Sequence, residues 1–169
     1  MDRNASVIES ILFVCLGNIC RSPLAEGIAR ELAKKRDLNL KIDSAGTSGW
    51  HIDELPCERS IIVGKRHGID ISTLRGRRVN AYSDLEFDLV VAMDGQNYTD
   101  LKRLGFQNLA LMGDFGLQGR DIPDPYYYKD FDGFEEVYTM LEAAITELLT
   151  QIETRMLNRE IRLPLEVLR

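Results

Sequence analysis

Cysteine is scarce in this chain, with three among 169 residues, irregularly spaced and without a CxxC pair. That usage supports neither a disulfide framework nor a cysteine zinc site. Histidine is scarcer still: two residues are too few on which to build a metal site. Positive charge is in deficit, with 21 Lys and Arg against 27 Asp and Glu, a net charge of -6 and a sequence pI near 5.0. The balance argues against general binding to nucleic acid or to a membrane surface, so any anion must be held by a local arrangement. No apolar run approaches membrane-spanning length, and the opening MDRNASVIES lacks the basic start and apolar core of a signal peptide. Repeats, low-complexity tracts and linkers are missing too. Together these absences predict a reduced, cytoplasmic protein whose cysteines are reactive or merely buried, with release by a route needing no signal peptide left open.

What is present reads as one soluble domain, 44% hydrophobic and 28% charged. Apolar runs with β character fall at 11–14, 40–42, 89–92 and 109–112. Helical patterns start at Ser22 and lie near 54–67, 96–104 and 134–156. Strands alternating with helices predict an α/β fold, a parallel sheet with helices on both faces. In the last helix Val137, Leu141, Ala144, Leu148 and Ile152 recur at spacings of three and four, which marks a core face. The stretch LRGRRV at 74–79 crowds three arginines, either as a solvated face or as a docking patch for acidic partners.

The chemistry concentrates in CLGNICRS, residues 15 to 22, directly after the apolar run ILFV. Ser22 followed by Pro23 predicts a helix opening with serine as cap and proline in the first turn. Cys15 then ends a strand, a short loop follows, and a helix N-terminus offers free amides to a phosphate-like anion. Gly17 lets the loop curl its amides inward, and Arg21 is suited to gripping two phosphate oxygens at once. The same amides, helix end and guanidinium favour a negative sulfur on Cys15, so a site that binds phosphate also activates a nucleophile. No GK[ST] closes the loop, which excludes a Walker-type site. The bland alternative is a buried strand-end cysteine with Arg21 on a solvated helix start.

The segment VCLGNICRSPLAEGI resembles the active-site loop of the low-molecular-weight protein tyrosine phosphatases. The likeness continues in order through DSAGTSGW, HGIDI, AMDGQN and IPDPYYY, and spans roughly Ile11 to Leu149. It implies a single domain over 1–157, with a four-stranded parallel sheet in a flavodoxin-like arrangement, and leaves 158–169 as a C-terminal extension of open role. It implies Cys15 as nucleophile, Arg21 as phosphate clamp and Asp124 as general acid and base. Asp124 lies between Pro123 and Pro125, and two fixed neighbours make a stiff mount for an acid. Leu16, Gly17, Asn18, Ile19, Cys20 and Ser22 complete the phosphate-binding loop, with Asn18 bracing it. Trp50, Tyr126 and Tyr127 correspond to the aromatic walls around a phosphotyrosine ring. Ser44, His67 and Asp94 are supporting residues, the first two in a structural hydrogen-bond network. Cys20 is either a redox guard that bonds to Cys15 under oxidation or a small residue filling loop space.

The implied activity is hydrolysis of phosphotyrosine in proteins, and of small aryl phosphates, through a cysteinyl-phosphate, without metal or organic cofactor. Phosphate-like oxyanions should inhibit it, and neither nucleic acid nor membrane is expected as a partner. Three rivals share the loop. A thioredoxin-coupled arsenate reductase needs relay cysteines downstream, and none follows Cys57. A phosphocysteine carrier has no use for Asp124. A phosphotyrosine-binding module has no use for the full set of Cys15, Arg21 and Asp124.

Overall fold

The run ILFV is the centre of the molecule: Ile11, Leu12, Phe13 and Val14 are all fully buried. Each is worth about 1.5–3 kcal/mol of transfer from water. A computed structural model describes residues 7–127 and 130–160, with the backbone alone for Tyr127 and residues 157–160. In it these residues belong to β1, Ser10–Cys15, which pairs in parallel with β2, Lys41–Gly46, on one side and with β3, Leu89–Ala92, on the other. A short β4, Leu109–Leu111, completes the order β2-β1-β3-β4. The domain is thus α/β with a four-stranded parallel sheet, wound in the expected flavodoxin-like manner.

Strand periodicity sends alternate β1 side chains to opposite faces. Ile11, Phe13 and Cys15 join a core built with α1 (Arg21–Lys35), α2 (Glu58–Arg66) and α4 (Phe131–Glu160). Leu12 and Val14 pack instead with Leu101 of α3 (Gly95–Arg103) and with Phe106. The stripe Val137, Leu141, Ala144, Leu148 and Ile152 is buried, as its spacing predicts. Helix α4 continues to Glu160, and residues 161–169 lie outside the described residues.

Two helix starts differ from expectation. α1 begins at Arg21 with Cys20 at the cap position, not at Ser22, because the Ser22 hydroxyl is engaged in the loop described below. Pro23 is still accommodated, since first-turn N–H groups have no partner within the helix. α2 begins at Glu58 rather than Glu54, since Pro56 disfavours helical backbone at Leu55. The order of the sheet reverses between β1 and β3, and ligands of such sheets bind beyond the strand ends at that reversal. Cys15 ends β1 at that place.

Candidate active site

The loop from Cys15 to Cys20 folds back over the end of β2. A Cβ on Gly46 would stand 2.8 Å from the Leu16 carbonyl oxygen and 3.1 Å from the Asn18 nitrogen, so the close approach requires glycine. Asn18 takes the left-handed conformation, φ +56°, which asparagine tolerates better than most residues. Its side chain holds it there. Oδ1 accepts the Arg77 N–H at 2.9 Å, while Nδ2 donates to Ser22 Oγ at 2.8 Å and to Ser44 Oγ at 2.9 Å.

Those donations orient both hydroxyls. Ser22 Oγ accepts from Asn18 and lies 3.0 Å from Cys15 Sγ, with the Ala45 carbonyl at 3.4 Å as a second, longer acceptor for its proton. The Asn18 N–H adds a second donor at 3.3 Å. Ser44 donates to the buried carboxylate of Glu26 at 2.6 Å, and Arg30 stands 2.6 Å from the other Glu26 oxygen. Burial pushes the Glu26 carboxyl above the usual carboxylate range, against the pull of Ser44 and Arg30. Asn18, Ser22 and Ser44 therefore lie beneath the loop, with Leu16, Gly17, Ile19 and Cys20 on its open side.

Arg21 is 2% exposed. Nη1 donates to Asp94 Oδ2 at 2.7 Å and to the Ile122 carbonyl at 2.9 Å, while Nη2 stands 3.6 Å from Asp124 Oδ2. Burial alone would ease its proton off, but the negative sulfur of Cys15 and the carboxylates of Asp94 and Asp124 more than offset this and hold it charged. The Ile122 N–H donates to the Met93 carbonyl, and the Met93 N–H donates to that of Val14, so backbone bonds also tie the Asp124 loop to β1. The Tyr126 N–H donates to Asp124 Oδ1 at 3.0 Å, which fixes the carboxyl at the pocket edge.

These groups surround a cavity of about 200 Å³. Cys15 and Arg21 share its lining with Asp124, and Trp50 and Tyr126 form exposed aromatic walls. A thiol, a fixed cation and a carboxyl thus meet in one pocket. The family model for low molecular weight phosphotyrosine protein phosphatase matches residues 10–159. The chain is 41% identical over 154 residues to the low molecular weight protein-tyrosine-phosphatase YfkJ of Bacillus subtilis, covering 85% of this chain and 96% of the relative. It is also 41% identical over 139 residues to the human low molecular weight phosphotyrosine protein phosphatase, covering 77% and 87% of the two chains. A crystal structure of a protein tyrosine phosphatase from Entamoeba histolytica superposes with a TM-score of 0.81 at 34% identity, covering 88% of this chain and 98% of that one. The chain belongs to the low molecular weight phosphotyrosine protein phosphatase family.

Within this phosphatase-family frame, one expectation is overturned. Cys20 is not a free thiol beside the nucleophile; it forms a disulfide with Cys57, 37 residues on, with their Cα atoms 5.3 Å apart. The chain's low cysteine count therefore includes one bridge, and Cys15 is the free cysteine. The two sulfurs meet because Cys20 and Cys57 cap α1 and α2, whose starts are side by side: the Cys57 N–H donates to the Ile19 carbonyl at 2.7 Å.

Ser44 and His67 also part company. His67 hydrogen-bonds Glu135 at 2.8 Å and stacks on Tyr138 at 3.9 Å, away from the Ser44 network. The side chain of Tyr127 lies outside the described residues. Sequence reasoning missed His51, which lines the phosphatase-family pocket over Gly17 and pairs Nδ1 with Glu54 at 3.1 Å. Its position next to Trp50 was the available signal. It also missed Glu26, which reads as an ordinary helix-surface acid. Among the described residues, no group of three or more His, Cys, Asp or Glu is placed to hold a metal ion, and no helix is long and apolar enough to cross a membrane.

Proposed function

We propose that the chain hydrolyses phosphotyrosine in polypeptides, and small aryl phosphates, through a cysteinyl-phosphate. The observation that carries this reading is the convergence of Cys15, Arg21 and Asp124 on one pocket, with Ser22 and the Asn18 amide directed at the sulfur. Cys15 attacks phosphorus in line with the phenolic leaving group. Arg21 and the loop amides take the charge on the remaining phosphoryl oxygens, and Asp124 gives its proton to the departing oxygen. A phenol with a pKa near 10 leaves poorly as an anion, so that proton matters. In the second step Asp124, now a carboxylate, takes a proton from water as the water attacks the cysteinyl-phosphate. Phosphate leaves and the thiolate returns.

The depth of Arg21 and the rise of Trp50 and Tyr126 around the mouth suit a flat aryl phosphate more than the short phosphoserine. The same cradle should be filled competitively by phosphate-like oxyanions. A cytoplasmic location has to accommodate the Cys20–Cys57 bond, which a reducing compartment would open. The decisive experiment is hydrolysis of p-nitrophenyl phosphate and a phosphotyrosyl peptide by the parent and by Cys15→Ser. Turnover by the parent alone, with phosphate found on the quenched parent protein, is the expected result. Comparable turnover by the serine variant sinks the mechanism.

A further inference from the structure

The arginine-rich stretch at 74–79 is only partly used by the site. Arg77 is committed, its guanidinium bonded to Asp84 at 2.9 Å and Asp43 at 3.1 Å and its N–H to Asn18. Arg78 is not. Its side chain is exposed, and its guanidinium has no carboxylate partner among the described residues. Its backbone is nonetheless fixed, because the Gly46 N–H donates to the Arg77 carbonyl and the Val79 N–H donates to the Gly46 carbonyl, each at 2.8 Å. Arg78 is thereby pinned beside the turn that follows β2 and carries Trp50.

There it borders a shallow groove of about 520 Å³ whose lining includes Leu16, Gly49 and Trp50. Leu16 and Trp50 also line the catalytic pocket, so the indole is a wall common to both. The arginine side chain runs alongside Gly49: a Cβ there would meet Arg78 Cδ in ordinary contact at 3.5 Å. Asp100 is the other charged group of the groove, and the Gln96 amide already donates to its Oδ1 at 2.9 Å.

We propose that this groove receives a residue flanking the phosphotyrosine of a polypeptide substrate, and that Arg78 selects an acidic side chain there. The inference rests on the phosphatase reading and names the substrate class of that site. An extended chain advances about 3.3–3.6 Å per residue, so with its aryl phosphate in the pocket it reaches across Trp50 within one to three residues. An exposed guanidinium with no carboxylate of its own gains from an incoming carboxylate, by the few-fold factor usual for a solvated ion pair, and less as salt is added. A small aryl phosphate ends before the groove and gains nothing.

The test scans a single Glu through the three positions on each side of phosphotyrosine in an otherwise alanine-rich peptide, with p-nitrophenyl phosphate assayed in parallel. The parent should favour Glu at one position by about two- to fivefold in kcat/KM, with the preference shrinking in high salt. Arg78→Ala should erase it, and Arg78→Glu should transfer it to Lys at that position. Both variants should keep p-nitrophenyl phosphate turnover within about twofold. A parent indifferent to Glu at all positions, or a preference that survives Arg78→Ala, overturns the inference while leaving the phosphatase reading intact. A parent inert toward every substrate removes both.

Discussion

Asp94 uses its two oxygens for two elements: Oδ2 holds the buried Arg21 guanidinium at 2.7 Å, and Oδ1 accepts the Asn97 N–H at 2.8 Å as the cap of α3. One side chain therefore holds both the buried guanidinium and the start of α3. Asp94→Ala should cost about 3 kcal/mol in urea unfolding, from the lost cap and the loss of the closest anion beside a buried cation. It should also lower kcat/KM for p-nitrophenyl phosphate at least tenfold. Asp94→Asn keeps an oxygen for the cap but turns an amine toward Arg21, so it should recover stability more than activity. Equal recovery of both would separate Asp94 from the clamp.

If Asp124 gives its proton to the leaving group, as proposed, the effect of Asp124→Ala should depend on that group. Slowing of about a hundredfold or more is expected for phenyl phosphate and phosphotyrosine. A much smaller loss is expected for aryl phosphates whose phenols are strongly acidic. A series of substituted phenyl phosphates gives the slope of rate against leaving-group acidity, and the variant's slope should be the steeper. Parallel slopes would take the proton donor away from Asp124.

The run from Glu26 through Ser44 and Asn18 to Ser22 orients the Ser44 and Asn18 protons, and its last hydroxyl lies 3.0 Å from Cys15 Sγ. Asn18 Nδ2 has two protons for two hydroxyls, so Ser44 must direct its own proton to Glu26. Ser44→Ala and Glu26→Ala should each slow alkylation of Cys15 by iodoacetamide near pH 6 by about threefold. The double variant should be no slower than either single one, as for members of one chain. Additive losses would make the two residues independent.

The Cys20–Cys57 bridge closes a loop of 37 residues. Loop-closure entropy gives it a stabilisation of about 2–4 kcal/mol, so reductant should lower the melting temperature by about 5–15 °C. Non-reducing thiol titration of the denatured protein should find one thiol, that of Cys15. With Cys20 engaged, no neighbouring thiol traps an oxidised Cys15. Peroxide should therefore inactivate the bridged protein in a way that thiols do not reverse, and the pre-reduced protein in a way that they do. A melt indifferent to reductant, with three titratable thiols, would remove the bridge.

The His67 hydrogen bond, aided by Arg66, holds the Glu135 carboxyl below the usual carboxylate range. A depressed carboxyl leaves the folded state with fewer protons than the unfolded one. Its stabilisation is therefore full above the ordinary glutamate range and disappears as pH falls through the folded value. The pair is largely solvated, so the effect should be at most about 1 kcal/mol and should weaken with salt. The stability gap between parent and Glu135→Gln, measured in urea, should close on going from about pH 7 to about pH 3. A gap unchanged across that range would assign it to packing.

How much of this was legible in the sequence depended on whether the signal was local. ILFV announced the central strand because a continuous apolar run needs both faces covered, and the stripe in α4 announced its own buried face. CLGNICRS was readable from eight adjacent residues as a strand-end cysteine facing a loop of amides and a helix start. Ser22 was misread as a cap because its hydroxyl bonds to Asn18 and Cys15 Sγ, and no propensity encodes that choice. Asp124 owed its role to resemblance, since two prolines make a stiff loop but do not aim it. Cys57 and Glu26 were silent for one reason: what each does is decided by a partner brought in by tertiary packing, Cys20 for one and Ser44 for the other.

The bridge between the starts of α1 and α2 also shapes how the chain would yield to a pulling force. Residues 20 to 57 hold α1, β2 and the Trp50 turn inside a covalent ring that tension applied at the termini cannot lengthen. At about 3.5 Å per residue, the ring withholds roughly 130 Å of extension. In an optical trap the oxidised protein should extend by that much less than the reduced one. The segment carrying the pocket's indole wall would be the part of the chain that never becomes taut.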